Sequence, residues 1–427
     1  MNKIEFYKET NFKETPIGIL PKDWDVVKLE DNKTASLVKS GSTPSKNRSD
    51  YWNGAIPFVT IGDMTKTEKY LYDTESKITD FAIKNSNTIL VPENCILLSM
   101  YGTIGKVVIN KVPATISQNI AAIVPNRENV YEEFLYYALK HYSFQFKGAK
   151  IITLKHLDMR IVKDTKIPLP PIEEQRAVAE VLSVVDLAVQ RTDMVIVKTE
   201  RLKKGLMQTL LTRGIGHKEL KNTEIGKIPK TWQTVKLGEI GNFQYGITTS
   251  AIKEDTGIKL LRITDITDEG INWKEVPYCK ISEAEFDKYK LNLGDVLFAR
   301  IGATTGKSCY INQPVKAVFG SYLIKFIPID KEVDTSFLYI FTQSETYWNQ
   351  VNRRKEGQLK KGLNTKMLGS LLIPLPPPEE QHKISRIFSA VDIKLEFERK
   401  EKARLELIKR GLMDLLLTGK IRVRVKV

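Results

Sequence analysis

The chain carries one plan written twice. Ile167–Gln175 reads IPLPPIEEQ and Ile373–Gln381 reads IPLPPPEEQ, an offset of 206 residues. A period that long implies two similar domains, because solenoids and propellers repeat roughly every 20–50 residues. Other matched pairs are Ile17–Trp24 (IGILPKDW) with Ile225–Trp232 (IGKIPKTW), and Asn94–Lys106 (NCILLSMYGTIGK) with Gly294–Lys307 (GDVLFARIGATTGK). Past the signatures, Val181–Asp186 (VLSVVD) answers Ile387–Asp392 (IFSAVD), and Lys203–Thr212 answers Lys409–Thr418. Most polar positions between the motifs differ, so the halves share a scaffold and not a surface.

Two textures alternate along the chain. Short β-rich runs are punctuated by Gly, Pro and Asn; Ile56–Ile61, Thr88–Val91, Ile96–Met100, Lys106–Ile109 and Ile120–Val124 read as strands. Tyr131–Tyr142 reads as an amphipathic helix. The second copy repeats this with strands at Lys259–Ile263, Val296–Arg300, Lys307–Ile311 and Leu323–Ile327 and a helix at Ser336–Trp348. After each signature a proline-free stretch follows with helical apolar spacing. One stripe is Val178, Leu182, Val185, Val189, Ile196, Leu202, Leu206 and Leu210; the other is Ile384, Phe388, Val391, Leu395, Leu405, Ile408, Leu412 and Leu416. Thr192, Thr199, Glu398 and Lys402 interrupt these seams. Pro171 and Pro377 mark helix entries, Glu173, Glu174, Glu379 and Glu380 put negative charge on the positive helix ends, and Gly214 and Gly419 mark the exits. Gly205 and Gly411 sit mid-helix at equivalent positions, explained either by close helix approach or by common descent of the two copies.

The expected architecture is α+β: two mixed α/β domains separated by a pair of long antiparallel coiled-coil-like helices, with an internal pseudo-two-fold repeat. The expected boundaries are a first domain at 1–170, a first helical region at 171–214, a second domain at 215–376, and a second helical region with its tail at 377–427.

Composition narrows the function. The formal net charge is +15, which attracts a polyanion at long range. The hydrophobic content of 42% is that of a folded chain. No run of eighteen apolar residues exists and the first residues lack a signal-peptide core, so a cytoplasmic protein without a membrane is expected. Cys95, Cys279 and Cys309 are scattered, and no histidine–cysteine spacing suits a metal. No cofactor is expected.

Catalytic signatures fail in turn. Gly302–Ser308 (GATTGKS) has three residues between its glycines where a phosphate-binding loop needs four, and Gly102–Lys106 has two. No methyltransferase Asn/Asp-Pro-Pro-aromatic signature is present. Asp63 and Asp265 recur at matched places without a nuclease-like Glu-x-Lys element, which suits carboxylates that hold a turn.

The doubled plan, with each PLPPxEEQ signature leading into a long helix, resembles the specificity (S) subunit of Type I restriction-modification enzymes. The PKDW and PKTW entries, Lys39–Ser45 (KSGSTPS) and Gly102–Lys106 fit that family's target recognition domains, and the likeness spans nearly the whole chain. It implies a non-catalytic subunit whose partners are double-stranded DNA, two methyltransferase subunits and, in the full complex, motor-nuclease subunits. Each domain would read one half of a bipartite DNA site, with the helices as spacer and docking surface. The second copy departs from the pattern at Gly246–Ser250 (GITTS), which lacks the proline of Thr43-Pro44. The alternatives are a stand-alone sequence-specific DNA-binding protein and a cryptic metal-dependent nuclease.

On that reading, cations position the duplex and polar groups beside glycine turns read base edges. The phosphate candidates are Lys39, Lys46, Arg48, Lys106, Lys150 and Lys155, then Arg262, Arg300, Lys307, Arg353, Arg354 and Lys355. The base-edge candidates are Ser42, Thr43, Tyr101, Thr103, Gln118 and Asn119, then Gln244, Tyr245, Thr248, Thr249, Thr304 and Thr305. Gln118 suits adenine and Arg300 suits guanine. Two rigidly held readers imply half-sites about one helical turn apart, on the order of 34 Å.

Overall fold

Each signature ends a strand and begins a helix. Lys166–Leu169 runs antiparallel to Asp25–Lys28, and Leu372–Leu375 runs antiparallel to Gln233–Lys236. Proline cannot donate to the ladder, so the Pro-Pro step stops the strand; at a helix start the missing N–H costs nothing. The helices that follow are Ile172–Arg213, 42 residues, and Pro378–Leu417, 40 residues. Both stop at a left-handed glycine, Gly214 (φ +63°) and Gly419 (φ +66°).

The computed structural model describes residues 3–143, 156–267, 270–330, 332–355 and 362–426. It divides into two units, Met1–Asp193 with Glu401–Val427, and Met194–Lys400, so each unit takes part of both long helices. In the first unit Val178 and Leu182 join a core with Leu416 and Leu417, while Asp186 pairs with Lys409 and Asp193 with Lys402. In the second, Leu210 and Leu211 join Ile384 and Phe388, while Lys203 pairs with Asp392 and Glu200 with Arg399. Within each unit, rising numbers on one helix meet falling numbers on the other, so the helices pair antiparallel. Leu202 and Ile408, expected in the seams, are instead exposed at 56% and 41%.

The globular parts repeat one sheet. In the first unit its order is Ala35–Ser40, Ile120–Pro125, Ile96–Ser99, Val107–Asn110 and Tyr70–Leu71. In the second it is Gly241–Tyr245, Leu323–Pro328, Val296–Ala299 and Ser308–Tyr310. The central strands Ile96–Ser99 and Val296–Ala299 are buried throughout, as continuous apolar runs covered on both faces must be. One face carries a helix, Glu132–His141 in the first unit and Thr335–Thr342 in the second. A parallel pair lies beside each sheet: Ala114–Ile116 with part of Trp52–Val59, and Ala317–Phe319 with Lys259–Leu261. In the first unit, Lys3–Lys8 also pairs antiparallel with Ile421–Lys426. The chain is thus α+β, with two mixed α/β modules, two long antiparallel helices and an internal repeat.

Three details differ from the sequence reading. The expected helix Ser336–Trp348 is two, Thr335–Thr342 and Glu345–Lys355; the Ser344 hydroxyl accepts from the Tyr347 N–H and starts the second. A Cβ at Gly205 or Gly411 would meet nothing within 4 Å, so close helix approach does not explain either glycine. Glu174 and Glu380 are more than helix-end charges, because each is the centre of a buried tie. Asp63 and Asp265 do hold turns, accepting from the backbone N–H groups of Thr60 and Arg262.

The ties explain the EEQ signature. Trp24, fully buried, donates from Nε1 to Glu174 (3.2 Å), and Trp232 donates likewise to Glu380 (2.9 Å). Arg422 grips both Glu174 oxygens at 2.7 Å and also reaches Asp23 and Glu9. In the second unit His217 Nε2 lies 3.0 Å from both Glu380 oxygens. The glutamines finish the job: Gln175 donates to the carbonyls of Pro170 and Asn129 and accepts from the Tyr131 N–H. Gln381 repeats this with Pro376, Glu332 and Asp334. Removing a partner from a buried, bonded ion pair is among the costliest single changes. Glu174→Ala should therefore lower unfolding stability by about 3 kcal/mol, and Glu380→Ala by about 1–2 kcal/mol, in equilibrium denaturation. Equal losses would mean that the arginine adds nothing over the histidine.

Candidate nucleic-acid interface

Three backbone segments converge at one end of each sheet, and the same hydrogen bonds join them in both units. In the first, the N–H of Ser42 donates to Ile116 O, Met100 to Asn119 O, and Ser99 to Lys106 O, at 2.8–3.1 Å. In the second, Ile247 donates to Phe319 O, Arg300 to Tyr322 O, and Ala299 to Lys307 O, at 2.8–3.0 Å. Ser40 pairs with Ala121 as Tyr245 pairs with Ile324. These bonds set position against position: Ser40 with Tyr245, Met100 with Arg300, Gln118 with Ser321, and Asn119 with Tyr322. Glycine is obligatory at the crossing. A Cβ at Gly41 would lie 1.9 Å from Ile116 O, and one at Gly246 would lie 2.3 Å from Gly320 O.

The convergence gathers many of the residues singled out from sequence. Ser42 and Thr43 lie on the first segment, Tyr101, Thr103 and Lys106 on the hairpin turn, and Gln118 and Asn119 on the third. The Thr43 hydroxyl bonds the Gln118 amide oxygen, which orients an otherwise exposed side chain. Lys39 lies one residue before the end of the neighbouring strand and is exposed, as is Lys46. In the second unit the set is Tyr245, Thr248 and Thr249, then Arg300, Thr304 and Lys307. Tyr322, 55% exposed, escaped the sequence reading; its only signal was alignment with Asn119. Lys150 and Lys155 lie outside the described residues.

Several candidates are already engaged. Thr305 is buried and its hydroxyl donates to Gly302 O, so it serves the turn. Arg48 forms two bonds to Asp50, and Arg262 two to Asp265. Arg354 is held by Ser370 and by the Gln350 carbonyl, and Lys355 donates to Thr305 O. Gln244 donates to the Lys288 carbonyl. Arg353 is exposed on its helix.

No described residues form a group of three or more His, Cys, Asp or Glu able to hold a metal, and no described helix is long and apolar enough to cross a membrane. Burial pushes the Cys95 and Cys309 thiols up to about 12, so they stay protonated and inert. The Gly302–Ser308 run is a turn between two strands, Val296–Ala299 and Ser308–Tyr310, and opens no helix. Each unit thus presents, at one end of its sheet, polar side chains and cations on a hydrogen-bonded backbone frame.

Comparison with known proteins agrees. A family model described as "Type I restriction modification DNA specificity domain" matches residues 21–193 and again 229–407. The chain belongs to that family of DNA specificity proteins. It is 31% identical to the Type I restriction enzyme MjaVIII specificity subunit of Methanocaldococcus jannaschii, across 99% of this chain and 98% of that one. It is 25% identical to the EcoBI specificity subunit of Escherichia coli, across 81% of this chain and 74% of the relative. In fold it is similar to the crystal structure of a Type I restriction-modification S subunit from M. genitalium, with a TM-score of 0.60 over 92% of this chain and 96% of that one at 17% identity.

One cation beside the first interface has an unusual setting. Burial brings Lys140 down to about 8, and Lys409 and Lys106 push the same way against Asp186. A lysine depressed in the folded state penalises folding fully below its folded value; the penalty fades as pH rises toward the ordinary value of 10.5. Lys140→Met should therefore raise the melting temperature at pH 7, with a gain that shrinks between pH 8 and 10. A gain constant across that range would assign it to packing alone.

Proposed function

We propose that the chain is the non-catalytic DNA-reading subunit of a Type I restriction-modification complex in the cytoplasm. Each module binds one half of a split double-stranded site, the first through the Ser42–Gln118 surface and the second through the Tyr245–Arg300 surface. The observation that carries this reading is the repeated backbone convergence with unlike side chains. Identical scaffolds dock alike on the duplex, and different side chains read different bases, so the target is bipartite and asymmetric. The working boundaries are 1–170 and 215–376 for the modules, with 171–214 and 377–427 as spacer.

The long helices support a docking role for two methyltransferase subunits. Their mutual pairing leaves large apolar groups in water: Val184 (61%), Leu187 (45%) and Leu407 (62%) in the first unit, and Ile393 (65%) and Phe397 (61%) in the second. Stripes of this kind mark interaction surfaces. A cleft lined by Tyr70, Tyr131, Glu133, Arg176, Ser183, Val184 and Leu187 adjoins the first of them. The motor-nuclease subunits join through that assembly.

The test is a genome-wide map of methylated bases in cells with and without the gene. Deletion should erase one split, asymmetric motif. Replacing residues 1–170 with the first module of another family member should change one half-site only. An unchanged map on deletion, or a swap that alters both halves, would sink the reading.

A further inference from the structure

Among the half-buried arginines of the second interface, Arg300 stands apart by what it lacks. Arg262 and Arg354 spend their guanidinium groups on Asp265, Ser370 and backbone carbonyls. Arg300 has no carboxylate partner among the described residues. Its one side-chain hydrogen bond there is a long one, Nη1 to the Ser321 carbonyl at 3.4 Å. Its Nε is buried with no hydrogen-bond partner among the described residues. A buried, unpaired guanidinium nitrogen costs stability, so this side chain is not held in place to strengthen the fold.

The surroundings nevertheless fix it. Its N–H donates to Tyr322 O (3.0 Å) and its carbonyl accepts from Leu363 N–H (2.8 Å). The guanidinium carbon lies over the Tyr245 ring, 4.9 Å from the centroid. That ring is itself pinned, its hydroxyl accepting from the Thr365 N–H (3.3 Å). Stacking on an aromatic face pre-organises the planar fork, so little rotamer freedom remains to be lost on binding. Tyr245 and Tyr322 are exposed at 39% and 55%, so the fork stands at the open end of the module. The matched positions of the first unit, Ser40 and Met100, offer neither platform nor fork, and Met100 is buried at 2%.

We propose that Arg300 reads a guanine in the half-site of the second module, its terminal amino groups donating end-on to N7 and O6 in the major groove while Tyr245 holds the plane. Two parallel donors match the guanine edge and no other base edge. The inference rests on the DNA-reading function proposed above and adds the base and the residue that contacts it.

The experiment uses the full chain assembled with its methyltransferase subunits and duplexes carrying the motif that the methylation map defines. Each guanine of the half-site unaffected by the 1–170 swap is replaced in turn by 7-deazaguanine, which removes the N7 acceptor. At one position the wild-type complex should lose about tenfold or more in affinity. Arg300→Ala should bind natural and 7-deaza duplexes equally. Arg300→Lys, which keeps the charge but loses the planar fork stacked on Tyr245, should show a smaller 7-deaza penalty than the wild type while keeping its salt dependence. Both variants should match the wild type in thermal unfolding and in co-purified methyltransferase.

A half-site without guanine, or a 7-deaza penalty that survives in Arg300→Ala, would overturn the assignment while leaving the function intact. Full discrimination by Arg300→Lys would overturn the role given to the tyrosine-held planar fork. Absence of any motif that depends on the chain would overturn the function and the assignment together.

Discussion

A single carboxylate organises each unit, buried in the first and half-buried in the second. Glu174 sits one turn into the first long helix, yet it receives the indole N–H of Trp24 at the module's entry and the guanidinium of Arg422 just past the end of the other long helix. Three chain segments distant in sequence thus meet at one pair of oxygens. Burying a carboxylate is tolerable only when both oxygens are bonded and the charge is answered. That demand fixes the angle at which a helix leaves its module and the register at which its partner arrives. In the second unit Glu380 does the same for Trp232, with His217 in the arginine's place. Contact with a carboxylate requires His217 Nε2 to carry the proton, which sets its tautomer.

Once that joint is fixed, the far end of each sheet becomes a platform. Backbone hydrogen bonds and the close approaches at Gly41 and Gly246 hold three segments in the same relation in both units. Side chains on such a platform vary without disturbing it, because the scaffold is made of main chain and the contacts are not. The first unit places Met100, Gln118 and Asn119 where the second has Arg300, Ser321 and Tyr322. Under the proposed DNA-reading function, a few substitutions on a repeated frame would set each half-site, as one fold can serve many specificities.

Legibility followed the range of the forces involved. The strands Ile96–Ser99, Val107–Asn110, Ile120–Pro125, Val296–Ala299, Ser308–Tyr310 and Leu323–Pro328 were found within a residue because continuous apolar runs are local properties, while Ala35–Ser40, Tyr70–Leu71 and Gly241–Tyr245, which lack such runs, were missed. The long helices were read nearly to their ends, since Pro171, Gly214 and Gly419 act on their own neighbours. The break at Ser344 was missed because apolar periodicity continues across it; only the cap reveals it. Leu202 and Ile408 fit the helical period yet face water. A spacing rule gives a stripe but not which part of it a partner covers.

What the sequence determined by itself was the repeat, the α+β alternation of modules and helices, the basic charge and the group of polar candidates around the glycine turns. Each follows from the identity of residues close together in the chain. Only the tertiary structure decided which candidates already have partners within the fold: Asp50 bonds Arg48, Asp265 bonds Arg262, and Thr305 turns inward. It alone revealed that Arg300 is left with a tyrosine platform and no carboxylate partner among the described residues. Arg300 meets Tyr245 and Ser321 from other parts of the chain, and even the near pairs depend on side-chain geometry over a few ångströms, which leaves no trace in local composition.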